Sequence, residues 1–240
     1  MLGPYLDEIE LLLFESQGID ALPSTTVIAE LGRLAQEFNL SYNVHLPTDI
    51  SISDPDPARQ QHALETMMRV MESVRPLDPS ALILHIPFDE KSSDDSMVAK
   101  WRDRVYISLE RILSGLENNN TIAIETLDYP LDLLEDIIAD LEVAICLDLG
   151  HLMIYDYDLL KVYNQYRFRT GMLHLHGVEN GRDHLALDRL SEQLASTVLQ
   201  VLKRFTGVVS LEVFSFGNLN SSLKFFEDNW GDVLLSRDLR

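Results

Sequence analysis

The stretch Ile145-Cys146-Leu147-Asp148-Leu149-Gly150-His151-Leu152 starts as a buried strand and ends on two groups that bind metals. Its apolar run, from Val143, has no polar residue at alternate positions, the pattern of a strand covered on both faces. The run stops at a carboxylate, and an imidazole follows three residues later across a glycine that permits a tight turn. Imidazole and carboxylate are the common protein ligands of zinc, manganese and iron. Working outward, the same pattern recurs. Asn43-Val44-His45-Leu46-Pro47 and Ile83-Leu84-His85-Ile86-Pro87 share the phrase His-apolar-Pro, and Leu173-His174-Leu175-His176-Gly177 carries two imidazoles shortly before Asp183-His184. Ile122-Ala123-Ile124-Glu125 and Val208-Val209-Ser210-Leu211-Glu212 each end on a glutamate. Ligands delivered from the ends of many strands converge only if the strands stand side by side with their ends together, as in a parallel (β/α) barrel.

Strands are predicted at Glu8 to Phe14, Ser41 to Leu46, Ala81 to Ile86, Thr121 to Glu125, Val143 to Asp148, Gly171 to His176 and Val208 to Phe214. Helical patterns alternate with them, near 24–37, 56–74, 94–116, 131–140, 158–166, 187–205 and 221–234. Such alternation predicts βα units around a parallel sheet. The expected fold class is α/β, a TIM barrel occupying residues 1–240 as one domain. Seven strands are readable where a complete barrel has eight.

The 240 residues are 46% hydrophobic and 24% charged, enough apolar material for a sizeable core. The longest apolar stretches are strand-length, short of the roughly 20 residues of a membrane helix. Met1-Leu2-Gly3-Pro4-Tyr5 shows no secretory signal. The single cysteine, Cys146, reads as a buried core thiol, and a cytoplasmic location is the default expectation. With 19 basic and 39 acidic residues the net charge is −20. That argues against gripping nucleic acid, whose binding draws on Lys and Arg contacts to phosphate. A phosphate-bearing small molecule stays compatible, because bound metal ions supply local positive charge. The sequence holds no phosphate-binding glycine loop, dinucleotide fingerprint or nucleophile elbow.

Taken alone, His45 reads equally as a hydrogen-bonded strand cap; the repeated phrase at His85 raises both as ligands. Glu125 and Glu212 are harder to explain otherwise, since a carboxylate ending an apolar strand is rarely buried without a partner. His174 and His176 are two apart, so in a strand both point the same way. At least one is expected to face the site. Asp183 and His184 are expected on a mobile loop over its mouth. His62 reads as a surface residue. Met67, Met68 and Met71 read as a core-facing stripe, Trp101 and Trp230 as helix-packing residues, and Asp132, Glu135 and Asp136 as a solvated helix face.

The order His, His, Glu, Asp-x-x-His, His, Asp/His, Glu on successive strands resembles the xylose isomerase-like barrels that include endonuclease IV (the AP endonuclease 2-like group). The resemblance runs from about Glu8 to Phe214. It implies that His45 and His85 are the two early strand-end histidines, Glu125 the bridging glutamate, and Asp148 with His151 the Asp-x-x-His pair. His174 or His176 is then the late histidine, Asp183 and His184 the loop pair, and Glu212 the last glutamate. Here the loop pair is adjacent, not Asp-x-His, and the family's first strand is not readable, as an N-terminal truncation or a late start codon would explain. Four phrases, EIELLLFES, NVHLPTDI, ICLDLGHL and HLHGVENGRDHLAL, resemble the cobamide-remodelling phosphodiesterases.

That likeness implies a metal-dependent hydrolase that cleaves the nucleotide loop of a cobamide such as cobalamin to cobinamide phosphate. Glu125, Asp148, Glu212 and His174 or His176 would hold a core ion, and His45, His85, His151, Asp183 and His184 further ions. Zinc or manganese, more than one ion, is expected. Glu125, Glu212 and Arg182 are the expected catalytic groups, Arg182 through a charge-assisted contact to phosphate. The alternative is a sugar isomerase or epimerase with one divalent ion on Glu125, Asp148, His176 and Glu212 and with glutamates moving the proton. HLHGVENGR also resembles the ketose epimerases' segment that ends in a substrate arginine, here Arg182. An abasic-site endonuclease shares the ligand set but conflicts with the charge, and a non-enzymatic corrinoid binder is the fourth reading. The expected partner is a small molecule, a cobamide or a sugar phosphate, with no membrane or nucleic acid. A second copy of the chain could cover an open sheet edge.

Overall fold

In the computed structural model the described residues are 6–14 and 22–234, with side chains described up to residue 229. The opening Met1 to Tyr5, Glu15 and Ser16 of the first phrase, and the Trp230 side chain lie outside them.

Seven strands form one sheet in the order β1-β2-β3-β4-β5-β6-β9, and β7 with β8 forms a separate two-stranded sheet. The strands are β1 (Glu8–Leu12), β2 (Ser41–His45), β3 (Leu82–Leu84), β4 (Ile122–Glu125), β5 (Ala144–Asp148), β6 (Thr170–Leu175), β7 (Gly177–Glu179), β8 (Arg182–Leu185) and β9 (Val208–Leu211). The helices are α1 (Thr25–Phe38), α2 (Pro57–Val74), α3 (Asp95–Leu113), α4 (Glu135–Asp140), α5 (Leu149–Ile154), α6 (Leu159–Tyr166), α7 (Glu192–Leu202) and α8 (Phe216–Leu234). The seven strands of the large sheet are the seven predicted, parallel with sequence-adjacent strands as neighbours, as βα units require. The chain divides into two compact units, Met1–Cys146 with Arg169–Met172 and Leu147–Phe168 with Leu173–Arg240.

In the first unit, β1 to β4 run side by side in a register that sets Leu12 beside His45, His45 beside Ile83, and Leu84 beside Ile124. β2 and β3 stop before Pro47 and Pro87, which have no N–H to continue a ladder. His85 therefore sits just past its strand, not within it as predicted. Helix starts follow their capping residues. Asp56 accepts from the N–H groups of Ala58 and Arg59, with Pro57 in the first turn, and Asp94 accepts from those of Ser96 and Met97. Helix α2 buries Ala63, Leu64, Met67, Val70 and Val74. Met68 is 42% exposed, which corrects the three-methionine stripe. Met67 and Met71 are four apart and share a face, and Met68 turns away from it. Cys146 is fully buried, and His62 is exposed.

The second unit departs from the sequence reading in two places. Helix α5 starts directly after Asp148, so Gly150 lies in a helix and makes no tight turn. The segment expected as a mobile loop is instead the hairpin β7–β8. Its two-residue turn is Asn180-Gly181, with φ of 52° and 71°. Positive φ at both turn residues defines the type I′ turn, which matches the twist of paired strands and favours Asn-Gly. The hairpin register shifts by one residue between Gly177 and Glu179, a bulge, and His184 has a φ of 52°.

Candidate metal centres

In the first unit a carboxylate and two imidazoles meet at the ends of β2, β3 and β4. The Nε2 atoms of His45 and His85 each lie 2.9 Å from Glu125 Oε2. The two rings meet edge to face, with centroids 4.8 Å apart. His45 Nδ1 lies 3.0 Å from the Leu46 carbonyl oxygen. A carbonyl can only accept, so His45 carries its proton on Nδ1, and in the neutral ring Nε2 is left as the ligand atom. Ligand atoms of His45, His85 and Glu125 all lie within 4.8 Å of one another. His45 and Glu125 are buried and His85 partly exposed, so the set is reachable from its His85 side.

The sequence reading missed Glu10, whose carboxylate lies within 4.8 Å of a His45 ring nitrogen. The signal was a glutamate inside the apolar run EIELLLF. The reading also passed over Tyr129 and took Trp101 as a helix-packing residue only, while both hold the loop behind His85. The Tyr129 hydroxyl donates to the Ile86 carbonyl at 2.6 Å. The Trp101 indole N–H lies 3.1 Å from the Pro87 carbonyl and 3.2 Å from Ser53 Oγ. Burial pushes the Tyr129 phenol well up, so it stays a donor.

In the second unit Asp148 closes β5 and caps α5, with Oδ1 accepting the His151 N–H at 2.8 Å. Its Oδ2 lies 3.1 Å from His151 Nδ1. Glu212, one residue beyond β9, has Oε2 at 3.4 Å from His174 Nδ1 and 3.5 Å from His184 Nε2. Asp148, His174 and Glu212 bring ligand atoms within 4.8 Å of one another, and so do His151, His176 and His184. The His176 and His184 rings are stacked 4.2 Å apart and 12° from parallel, and Phe214 stacks on the other ring neighbour, His184, at 4.8 Å. Phe214 is 67% exposed and was not singled out in the sequence.

Of the adjacent pair Asp183-His184, the histidine joins these sets. Asp183 reaches His184 Nδ1 at 3.2 Å. Burial alone would lower the His184 pKa, but its bonds to Glu212 and Asp183 outweigh that and raise it. Burial raises Asp183, and the His184 bond more than reverses the shift. Arg182 is exposed at the start of β8, opposite Glu179.

Gly150 has a specific steric role. A Cβ there would stand 1.9 Å from His176 Cε1 and 2.1 Å from its Nε2. The glycine is needed for room against a buried imidazole, not for a turn.

The chemistry of these donors, imidazole nitrogens and buried carboxylate oxygens, fits a divalent ion of the zinc or manganese kind. The fold and donor sets define a class of (β/α) barrel whose strand ends could hold a metal ion. The chain belongs to the xylose isomerase-like TIM barrel family, whose pattern matches residues 6–229. It is similar to a D-tagatose 3-epimerase-like protein at 18% identity and a TM-score of 0.78, over 97% of this chain and 91% of that one. An IolI protein with a bound zinc atom aligns at 15% identity and a TM-score of 0.72, over 95% and 89% of the two chains. An L-ribulose 3-epimerase aligns at 15% identity and a TM-score of 0.66, over 92% and 77%. No curated protein matches the chain.

These relatives correct the leading expectation of a cobamide phosphodiesterase, because the sugar epimerases among them fit the alternative reading better. The four phrases behind that expectation lie on ligand-bearing strand ends. Such ends identify the barrel and its metal chemistry, while the substrate is chosen elsewhere in the loops.

Proposed function

We propose that the protein is a divalent-metal-dependent isomerase or epimerase of a small polyhydroxylated carbonyl compound, a ketose in the simplest case. The observation that carries this reading is the setting of Glu212. It is a strand-end carboxylate on a xylose isomerase-like barrel, partly exposed and flanked by the His174 and His184 nitrogens. Asp148, His174 and Glu212 are the residues of the second unit that would hold the ion, and His45, His85 and Glu125 those of the first. When bound, a divalent ion supplies Lewis-acid polarisation of a carbonyl or hydroxyl oxygen.

Glu125 and Glu212 are the proton-transfer carboxylates of this proposal. One takes the proton from the carbon beside the carbonyl, leaving an enediolate. The proton returns to the opposite face of that carbon in an epimerisation, or to the former carbonyl carbon in an isomerisation. The Nε2 atoms of His45 and His85 both lie 2.9 Å from the same oxygen of Glu125, which places that carboxylate between them. Arg182 supplies a cation for substrate oxygens. Protein supplied with Zn²⁺, Mn²⁺ or Co²⁺ is incubated with a panel of ketohexoses and ketopentoses in D₂O. Deuterium entry beside the carbonyl, lost in Glu212→Gln, is the expected result. Metal-loaded protein that exchanges no proton in any sugar of the panel would refute the proposal.

A further inference from the structure

We infer that Tyr129 is a positioning residue, which sets His85 against Glu125 by holding the main chain just past His85. The inference rests on the metal-dependent reading above and adds to it a residue outside the ligand sets.

Three features carry it, all within the first unit. First, His85 needs a hold that its strand does not supply. His45 ends β2 in register with Leu12, and Glu125 ends β4 in register with Cys146. β3 is three residues long, and its register reaches only Ile83 on the β2 side and Leu84 on the β4 side. Of the three donors His85 alone stands beyond its strand, and Pro87, with no N–H, cannot carry the ladder past it. Its Nε2 nevertheless lies 2.9 Å from Glu125 Oε2, a contact that requires a fixed backbone.

Second, the two carbonyls that follow His85 meet buried side-chain donors. The Tyr129 hydroxyl donates to the Ile86 carbonyl at 2.6 Å. The Pro87 carbonyl accepts from the Trp101 indole N–H at 3.1 Å and from the Ser53 hydroxyl at 3.3 Å. All four residues Ser53, Ile86, Trp101 and Tyr129 are buried, so water cannot replace a lost donor cheaply. Ile86 precedes a proline and is confined to extended backbone. A bond to its carbonyl therefore restrains the direction of the chain one residue from His85.

Third, Tyr129 joins the two ligand segments. It lies four residues after Glu125, and its hydroxyl reaches the residue next to His85. Leu84 and Ile124 are partners across β3 and β4, so His85 and Glu125 are the next pair along. That pair is braced twice, by its own side-chain contact and by the Tyr129 bond behind it. Trp101 meets Tyr129 edge to face with centroids 5.2 Å apart, and Phe88 at 5.0 Å, which steadies the phenol. Tyr129 offers no ligand atom of its own here, since its one proton is committed to the Ile86 carbonyl.

The test is Tyr129→Phe in the full chain, which removes the hydroxyl and keeps the ring. With Co²⁺ as the probe, affinity is expected to fall roughly tenfold, the lower end of what loss of an outer support costs a metal site. Val74→Ala, a cavity in the buried face of α2, serves as the control. It should lower the urea midpoint and leave Co²⁺ affinity unchanged, because packing alone does not reach His85. Parent-like Co²⁺ affinity in Tyr129→Phe, or an equal loss in both variants, would overturn the inference. Imidazole ¹H–¹³C resonances of the metal-free protein supply a readout that needs no ion. The His85 signal is expected to shift or broaden in Tyr129→Phe, while that of His62, exposed on α2, stays in place. A His85 signal identical to the parent's would overturn the inference as well. If the protein binds no divalent ion, the functional reading fails, and the metal-free His85 signal still decides the role of Tyr129.

Discussion

Replacing Gly150 by alanine sets two physical effects of opposite sign against each other. In an ordinary helix interior the change favours folding by about 1 kcal/mol, because glycine loses more backbone freedom than alanine. Here the new Cβ would stand 1.9 Å from His176 Cε1, about 1.5 Å inside ordinary van der Waals contact. The imidazole has little room to yield. His184 stacks on it, and its Nδ1 holds the His184 N–H. Overpacking of a closed site costs about 1–3 kcal/mol, and a buried N–H deprived of its acceptor costs a further 1–3 kcal/mol. After the helix gain, the expected outcome is a net loss of about 1–5 kcal/mol. Divalent-metal affinity should fall by roughly tenfold or more, since His184 and Asp148 move with the ring. Urea unfolding gives the first quantity, and competition with a chromophoric chelator the second. A Gly150→Ala protein that is more stable than the parent by about 1 kcal/mol and binds metal equally well would refute the steric argument.

Other outcomes follow from the same physical reasoning. At the hairpin tip a Cβ on Gly181 meets nothing within 4 Å, while φ is 71°. Gly181→Ala should therefore destabilise by backbone strain alone, about 1 kcal/mol, seen as faster amide hydrogen exchange across 177–185. A protein that keeps wild-type exchange there would argue against the type I′ turn. Asp94 is held below the ordinary carboxyl range by the Ser92 hydroxyl and then the Met97 N–H, and Asp56 by the N–H groups of Arg59 and Ala58. Groups with a lowered folded pKa stabilise above their unfolded value, near 3.9, and lose that contribution as pH falls through the folded value. The denaturation midpoint should drop from pH 5 to pH 3, and less in Asp94→Asn. Loading the protein with Zn²⁺ to about 100 times Kd should stabilise it by about 2.7 kcal/mol, reversed by a chelator. A melting temperature indifferent to both would remove the metal centres from the account.

Much of the scaffold can be read from residues alone, because most strands of the large sheet are short, largely apolar runs closed by a proline, glycine or carboxylate. Glu125 and Asp148 illustrate why the ligand positions were readable too: an acid that ends such a run has few other uses. The misreadings have local causes. Gly150 looks like a turn residue because a helix that begins at once after a strand leaves no connecting segment to read. The Asn180-Gly181 signal for a hairpin was present, but the polar residues around it suggested a loop. The His176 contact depends on an amide N–H eight residues downstream, and those of Trp101 and Tyr129 on carbonyls of a distant loop. Contacts of that kind leave no periodicity. The substrate was misjudged for a different reason, since the phrases consulted sit on strand ends shared by enzymes of differing specificity.

The hairpin has a consequence for how this protein could be altered. Side chains along a strand alternate between faces, so a pairing shifted by one residue turns every side chain over. One residue added between Asn180 and His184 would swing the imidazole off its stack with His176, whereas a pair of residues would restore it to the same side. Length variants of this hairpin should thus fall into two groups, odd insertions that lose the His184 contact and even ones that keep it. Extra chain carried on the even ones gives a place to graft new recognition without disturbing the histidine beneath.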